Sequence, residues 1–196
     1  MDVVPLPREK RADAAAVLAR AFQGDPAWQW VFPDARRRAA AFPWLFASSF
    51  DVTEAELWTT AGPILGVARW MPPGRPPMKF GAALKALVVT PLRLRDATQR
   101  FFAYGRAIDD LRREAVPMPH WYLAGIGVEP GDRRQGIGSA LMRPGLEAAA
   151  KAGLPCALLT NNERNLSFYR GHGFEVIKET KSTRSGPKAW VLLKNP

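Results

Sequence analysis

A glycine-rich turn after a predicted strand is the part of this sequence best suited to bind phosphate. The apolar run 121–128 predicts the strand, and the residues after the turn have the apolar spacing of a helix. The turn carries Gly136 and Gly138 close to the charged pair Arg133 and Arg134. The free N–H groups and partial positive charge at a helix N-terminus attract phosphate, and glycine lets a ligand approach the backbone closely. The stretch therefore predicts an anion site where this helix begins.

Two common phosphate loops do not fit this turn. Gly131 and Gly136 have the Walker spacing, but Ile137 and Gly138 stand where that loop needs Lys followed by Ser or Thr. The dinucleotide fingerprint G-x-G-x-x-G is also incomplete, because neither glycine pair has a third glycine at the required offset. A lone Gly-x-Gly is equally compatible with an ordinary strand-to-helix turn.

The residues around the turn resemble the acetyl-CoA loop of the GNAT N-acetyltransferases. That loop reads R/Q-x-x-G-x-G/A after a strand that ends V-x-P, and the matching positions here are Val128, Pro130, Arg133, Gly136, Gly138 and Leu141. A second segment resembles the family's later helix and strand, with Asn162, Asn165, Phe168, Tyr169, Gly173 and Phe174. The two motifs occur in the family's order, and the likeness is close over residues 119–180.

Within that superfamily, three further stretches are similar to puromycin N-acetyltransferase and its relatives. They are His120-Trp121-Tyr122-Leu123, the Pro144-Gly145-Leu146-Glu147-Ala148-Ala149 run, and Arg164-Asn165-Leu166-Ser167-Phe168-Tyr169. Pro144 falls inside a predicted helix, where it costs a hydrogen bond and should kink the chain. The aromatic residues around Trp28 do not match that enzyme.

The resemblance implies a mixed α/β fold of the GNAT type, with helices flanking a mostly antiparallel sheet of about six or seven strands. Its parallel pair would be the strands predicted at 121–128 and 156–160, splayed apart at the cofactor site. Glycines 125 and 127 favour a β-bulge there. Alternation of strands and helices in the C-terminal part predicts parallel pairing around its first two crossovers. We expect residues 1–196 to form a single domain with a helical insertion at about 78–114.

Acetyl-CoA is the cofactor that the resemblance implies. Loop amides and arginines would hold its phosphates, and its peptide-like arm would pair with the edge of the strand near Ile126 and Val128. The backbone N–H of one of these two residues would stabilise the oxyanion. Asn162 and Asn165 would bind the arm, although either could instead be a helix N-cap. The residues expected to bind acetyl-CoA are Ile126, Gly127, Val128, Arg133, Arg134, Gln135, Gly136, Ile137, Gly138, Ser139, Asn162, Asn165 and Tyr169.

Tyr169 is the general acid that the resemblance implies, placed to protonate the leaving thiolate; its alternative is a buried core tyrosine. The attacking amine must lose a proton, and His120, at the start of the strand 121–128, has the pKa of a suitable base. His120 could equally be a structural residue, and Glu54 and Glu56 are the fallback. His172 is expected to be a turn residue.

The N-terminal aromatic segment is the expected acceptor side. Trp28, Trp30 and Phe32 are predicted to line the acceptor pocket together with Glu56, and this aromatic density favours an apolar or aromatic amine over a polyamine. The alternative for Trp28 and Trp30 is a purely structural role in the core, which is the role that we expect for Trp44, Phe46, Trp58 and Trp70. Two short helical pieces joined by a loop are predicted here, because Pro33 and Pro43 interrupt the segment.

Composition sets the broader limits. Lys and Arg number 28 and Asp and Glu 18, a formal net charge of +10 that could suit nucleic acid, a membrane surface or an anionic ligand. The excess is spread along the chain, so we expect no nucleic-acid or membrane partner. Cys156 is the single cysteine and there are two histidines, so a metal site is not expected. Neither a signal peptide nor a membrane span is recognisable, which predicts a cytoplasmic protein.

The predicted function is therefore acetyl transfer from acetyl-CoA to a primary amine of a small molecule, by direct attack in a ternary complex. The protein would be a monomer or a homodimer. Two alternatives stay open at this point: a catalytically silent CoA-binding module and, with less support, a nucleic-acid-binding protein that uses the arginine excess.

Overall fold

The computed structural model describes residues 1–52, 54–74 and 89–196. Within these ranges lie seven strands and six α-helices whose two ends are both described. The strands are β1 (Val3–Pro5), β2 (Glu56–Thr60), β3 (Gly66–Met71), β4 (Trp121–Val128), β5 (Cys156–Thr160), β6 (Glu175–Lys181) and β7 (Lys188–Lys194). The helices are α1 (Arg11–Ala21), α2 (Pro26–Val31), α3 (Ala35–Val52), α4 (Thr98–Ala115), α5 (Ile137–Ala152) and α6 (Leu166–Arg170). Residues 89–94 are also helical.

One seven-stranded sheet runs through the molecule in the order β1-β2-β3-β4-β5-β7-β6. Only β4 and β5 are parallel neighbours, and the other adjacent pairs are antiparallel. The predicted fold class, a mixed sheet with one parallel pair and flanking helices, is confirmed. The prediction of parallel pairing at the second crossover is wrong, because β7 inserts between β5 and β6 and pairs antiparallel with both.

The parallel pair is short, and this opens the sheet. Residues 121–123 of β4 pair with residues 156–158 of β5, and the remainder of β4 has no pairing with β5. On the other side of β4 the register shifts opposite Arg69 and Trp70, which pair with Gly125 and Leu123. Ala124 is therefore the extra residue of a β-bulge, next to the glycines that predicted one. The bulge bends β4 where it leaves β5.

Helices cover both faces of this sheet. Helix α5 packs on β2, β3 and β4, and α1 packs on β3 and β4 from the opposite side, with α3 against α1. The contact between α5 and the sheet is close, since a Cβ on Gly145 would lie 2.1 Å from the buried Trp70 ring. The indole N–H of Trp70 donates to the Leu141 carbonyl at 3.4 Å. Pro144 and Gly145 thus lie inside a continuous helix, and the missing side chain of Gly145 leaves room for the Trp70 ring.

The N-terminal aromatic segment is more helical than predicted. Its first part is α2, but the second is the 18-residue helix α3, which continues through Pro43. The helix tolerates this proline because the residue lies on an exposed face. Asp34 starts α3 by accepting a hydrogen bond from the Arg37 N–H at 2.8 Å.

The predicted helical insertion at 78–114 is described in part. Residues 78–88 lie outside the described residues, whereas 89–94 and α4 are helical. The helical stretch at 89–94 passes into a 3₁₀ turn at Arg95–Ala97 before α4 begins. Within the described ranges, none of the helices has the length and apolarity to cross a membrane.

Candidate active site

A cleft of about 710 Å³ lies where β4 and β5 separate. Its walls come from the second half of β4, the loop after it, the start of α5 and the turn that leads into α6. Gln135 is not part of the lining, and its amide instead donates to Asp132 at 3.4 Å. The other residues predicted to bind the cofactor all line this one cleft: Ile126, Gly127, Val128, Arg133, Arg134, Gly136, Ile137, Gly138, Ser139, Asn162, Asn165 and Tyr169.

The backbone of β4 faces the cleft at alternate residues. The Glu129 N–H donates to the Leu65 carbonyl at 2.8 Å, so residue 129 directs its backbone groups towards β3. Because the direction alternates along an antiparallel strand, residues 125 and 127 also face β3, whereas Ile126 and Val128 face the split. Since β5 does not pair there, these two residues offer free hydrogen-bonding groups to an extended ligand.

Two glycines shape the loop for different reasons. Gly136 caps α5 with φ +79°, in the left-handed region that favours glycine, and a Cβ there would meet no atom within 4 Å. A Cβ on Gly138 would lie 3.1 Å from the Phe168 ring, so this glycine lets α6 pack against the start of α5. Arg134 also has a positive φ, of 67°, which is costly for a residue with a side chain. The loop therefore holds its N–H groups in a strained, concave arrangement around open space.

Positive charge concentrates at the mouth of the cleft. Arg133, Arg134 and Arg164 line it together with Arg20 of α1. Arg20 binds both carboxylate oxygens of Glu129, with contacts from 2.8 Å, and this hydrogen bonding lowers the pKa of Glu129. The Arg133 guanidinium donates to the Ala21 carbonyl at 3.3 Å. This end of the cleft is suited to an anion with several charges.

The two asparagines have local structural roles as well as a place in the lining. The Asn162 side chain accepts from the Arg164 N–H at 3.2 Å and so caps the 3₁₀ turn before α6. The Asn165 amide donates to the Thr160 hydroxyl at 3.5 Å. The cap that was the alternative interpretation of Asn162 is therefore present, and its amide N–H groups stay available to a ligand in the cleft.

Tyr169 lies deep in the cleft, on α6. Only 6% of its surface is exposed, and its ring packs near Phe168 and Phe174. Burial raises its pKa well above the ordinary tyrosine value, and the nearby Asp25 and Tyr122 act in the same direction. The phenol is therefore protonated throughout the neutral pH range, as a proton donor needs to be.

Asp25 is a cleft residue that the sequence reasoning missed. It is the N-cap of α2 and accepts from the N–H groups of Ala27 and Trp28 at 3.0 and 3.3 Å. Burial raises the pKa of its carboxyl group, while these two hydrogen bonds lower it. The signal was present in the sequence, because Asp followed by Pro is typical of a helix start.

Helix α4 brings a second tyrosine to this region. The Tyr104 hydroxyl donates to the Asn161 side chain at 2.6 Å, and the Asn161 amide donates to the Lys188 carbonyl at 2.6 Å. Burial raises the Tyr104 pKa, and the charge of Asp25 raises it further. Tyr122 of β4 lines a different cavity, and burial raises its pKa to about 12. Tyr104 and Tyr122 thus lie behind the cleft, close enough to Asp25 or Tyr169 to affect them electrostatically.

The structure does not bring His120 to the cleft. It precedes β4 and lines a separate cavity of about 410 Å³ with Arg112, Met118 and Tyr122. Ile126 lies six positions further along the chain, which spans about 20 Å in an extended strand. Its Nδ1 lies 2.7 Å from the Met118 carbonyl, and burial lowers its pKa. His120 therefore lies outside the cleft, towards the other end of β4, and its base role stays a prediction.

The predicted acceptor residues also lie elsewhere. Phe32 is buried, and Trp28 is the centre of an aromatic cluster, with ring centroids 5.4 Å from Phe42 and 5.8 Å from Phe46. Trp30 packs against the same core, beneath the Arg100 guanidinium. Glu56 is exposed on β2, two strands away from the split. None of the four lines the cleft described here: the aromatic residues pack in the core and Glu56 lies on the surface, and their acceptor role stays a prediction.

The comparisons with known proteins agree with this architecture. Residues 95–174 match the family model described as Acetyltransferase (GNAT) family. A structure from Corynebacterium glutamicum, described as histone acetyltransferase HPA2 and related acetyltransferase, aligns over 99% of this chain and 95% of its own, with TM-score 0.65 and 20% identity. The protein has the GNAT fold. The resemblance found in the sequence is confirmed at the level of the fold, and the family model matches the part of the chain that carries most of both motifs.

Two other GNAT structures show how widely the fold is shared. Arylalkylamine N-acetyltransferase 2 from Aedes aegypti aligns over 99% of this chain and 98% of its own, with TM-score 0.63 and 12% identity. The ribosomal-protein-S18-alanine N-acetyltransferase from Escherichia coli aligns over 99% and 92%, with TM-score 0.53 and 15% identity. Because these GNAT neighbours differ in the acceptor named for them, the fold alone does not choose an acceptor.

Proposed function

We propose that this protein is an acetyl-CoA-dependent N-acetyltransferase acting on a primary amine of a small molecule. The single observation that carries the proposal is the cleft at the β4–β5 split. It combines a basic mouth, strand N–H groups without a partner strand, and a buried, protonated tyrosine. These are the parts needed to hold a phosphorylated, peptide-like thioester and to protonate its leaving group.

The cleft fits acetyl-CoA in its charge and in its backbone. Arg133, Arg134 and Arg164 would hold the phosphates together with the N–H groups that begin α5. Ile126 and Val128 would pair with the peptide-like arm as an added strand does. Asn162 would hold the arm through its amide N–H groups. Acetyl-CoA supplies a reactive thioester when it is bound.

The catalytic roles follow from the same positions. One of the two N–H groups of Ile126 and Val128 would stabilise negative charge on the thioester oxygen, an effect of about 3–4 kcal/mol where such donors have been removed. Tyr169 would give its proton to the leaving sulfur. Cys156 is buried on β5 and its burial raises the pKa of the thiol to about 11, which supports direct attack over an acyl-enzyme on this residue.

We further propose that the acceptor has an apolar body, because the inner part of the cleft is lined by Phe22 and Tyr169. The local likeness at 120–123, 144–149 and 164–169 supports a place in the puromycin N-acetyltransferase-like group. We propose a single domain with a helical insertion, working in the cytoplasm as a monomer or homodimer.

The test is release of free thiol from acetyl-CoA against a panel of amines that includes aminonucleosides, amino-acid amides, arylalkylamines and peptides. We expect turnover with at least one apolar small amine. Binding of CoA by calorimetry together with no turnover on any amine would instead support a silent CoA-binding module. If neither binding nor turnover is observed, the proposed function is wrong.

A further inference from the structure

The second oxygen of Asp25 distinguishes this residue from an ordinary helix cap. Both cap bonds, from Ala27 and Trp28, end on Oδ1. Oδ2 takes no hydrogen bond from the described residues, although the side chain lines the cleft. A carboxylate in a largely buried position that keeps one oxygen free is suited to receive a donor from a ligand.

The cleft has opposite charge at its two ends. The arginines stand at the mouth, beside the loop, whereas Asp25 stands at the inner end, near Tyr169. The other carboxylate in the lining, Asp132, belongs to the loop and accepts from Gln135. The arginines would therefore attract the anionic thioester to one end of the cleft, and Asp25 would attract a cationic acceptor to the other.

Resting on the proposed function, we propose that Asp25 is a catalytic residue that binds the acceptor ammonium through Oδ2 and takes its proton. The acceptor class is a primary amine with an apolar body and no carboxylate beside the nitrogen. A carboxylate there would face Asp25 at close range, and repulsion between like charges would exclude it.

The proton balance is complete with the groups in the cleft. Asp25 takes one proton from the ammonium, which frees the nitrogen lone pair to form the N–C bond to the acetyl group. The C–S bond breaks, and the sulfur takes the Tyr169 proton. The nitrogen loses its second proton, which restores Tyr169, and Asp25 releases its own to solvent. One ammonium and one thioester give one amide, one thiol and one proton.

Asp25→Asn is a sharp test because asparagine caps helices about as well as aspartate. The folded structure and melting temperature should stay close to those of the wild type, while the negative charge is lost. We expect kcat/KM for the amine to fall at least about 100-fold at pH 7, the lower range for a lost general base. The difference in kcat/KM between the variant and the wild type should shrink at a pH above the pKa of the amine, because the acceptor is then already deprotonated.

Asp34→Asn is the matched control. Asp34 caps the next helix by the same kind of bond, to the Arg37 N–H, and lies outside the cleft. Asp34→Asn should leave kcat/KM for the amine within about twofold of the wild-type value. Phenylethylamine and phenylalanine, which differ by one carboxylate, test the acceptor class. For the wild type, we expect kcat/KM to be at least about 100-fold higher with phenylethylamine than with phenylalanine. In Asp25→Asn this ratio should be smaller.

The outcomes separate this inference from the proposed function. If the wild type acetylates an amine and Asp25→Asn matches it within threefold at every pH, the role of Asp25 is wrong while the proposed function stands. Equal rates with phenylalanine and phenylethylamine would overturn the acceptor class alone. If no amine is acetylated by the wild type, both are wrong.

Discussion

The two ends of the cleft are built in different ways. The proposed cofactor end comes mainly from one continuous stretch, the second half of β4, the loop and the first turn of α5. The proposed acceptor end is assembled from residues far apart in the chain, Asp25 before α2 and Tyr169 on α6. A short continuous segment can carry the recognition of an invariant cofactor, whereas the acceptor side is set by how distant helices pack. Substitutions at the two ends should therefore affect different kinetic constants.

Tyr169→Phe should give the largest effect. The substitution keeps the buried ring and removes only the proton donor, so we expect kcat to fall about 100- to 10,000-fold with little change in the KM for acetyl-CoA. Because burial raises the pKa of Tyr169, the wild-type kcat should show no loss from this group up to about pH 10. Steady-state kinetics across pH measures both. An unchanged kcat would remove Tyr169 from the mechanism.

Gly138→Ala should weaken the cofactor end selectively. The added Cβ would lie 3.1 Å from the Phe168 ring, so α6 must shift against the start of α5. We expect unfolding to become easier by about 1–3 kcal/mol and the KM for acetyl-CoA to rise. Gly131→Ala is the control on the same loop, since a Cβ there meets no atom within 4 Å. Equal effects of the two substitutions in denaturant titrations would show that the contact with Phe168 does not matter.

Three enclosed tyrosines in and behind the cleft should make the fold sensitive to alkali. Tyr104, Tyr122 and Tyr169 are buried as neutral phenols, and burial raises the pKa of each. Such groups contribute stability that is fully present below the unfolded pKa of about 10 and is lost as pH rises towards their folded pKa. The free energy of unfolding should therefore fall with pH above about 10. Tyr122→Phe should reduce that slope, and an unchanged slope in the variant would contradict the burial argument.

Arg134→Gly should give the smallest effect, which combines a gain in folding stability with weaker binding of acetyl-CoA. Glycine relieves the positive φ at this position, so stability should rise by up to about 1 kcal/mol. Loss of the charge should raise the KM for acetyl-CoA several-fold. Arg133→Gly removes a charge from the same mouth at a negative φ and should not stabilise. A gain in stability from both substitutions would exclude the φ explanation.

The sequence was most informative where function is carried by neighbouring residues. The strand, loop and helix from 121 to 152 could be predicted because their glycines, arginines and apolar spacing act locally, and the alternation of β4 confirms that Ile126 and Val128 face the split. The order of β5, β7 and β6 could not be predicted in the same way, because an inserted strand is decided by long-range pairing.

The acceptor side shows the same limit in individual residues. His120 is next to the correct strand in sequence but lies at the end away from the cleft, which only the direction of β4 and the point of splitting reveal. The aromatic density around Trp28 predicts a pocket wall, yet rings from α3 and α4 enclose this residue. Asp25 acquires its position from the packing of α2 against α4, which no local pattern specifies.

The initial-velocity pattern with acetyl-CoA and amine varied together tests the central claim most directly, which is that both substrates meet in one cleft and react without an acyl-enzyme. Double-reciprocal plots should give intersecting lines, and no thiol should be released in a burst before amine is added. Parallel lines accompanied by stoichiometric thiol release from acetyl-CoA alone would contradict the account.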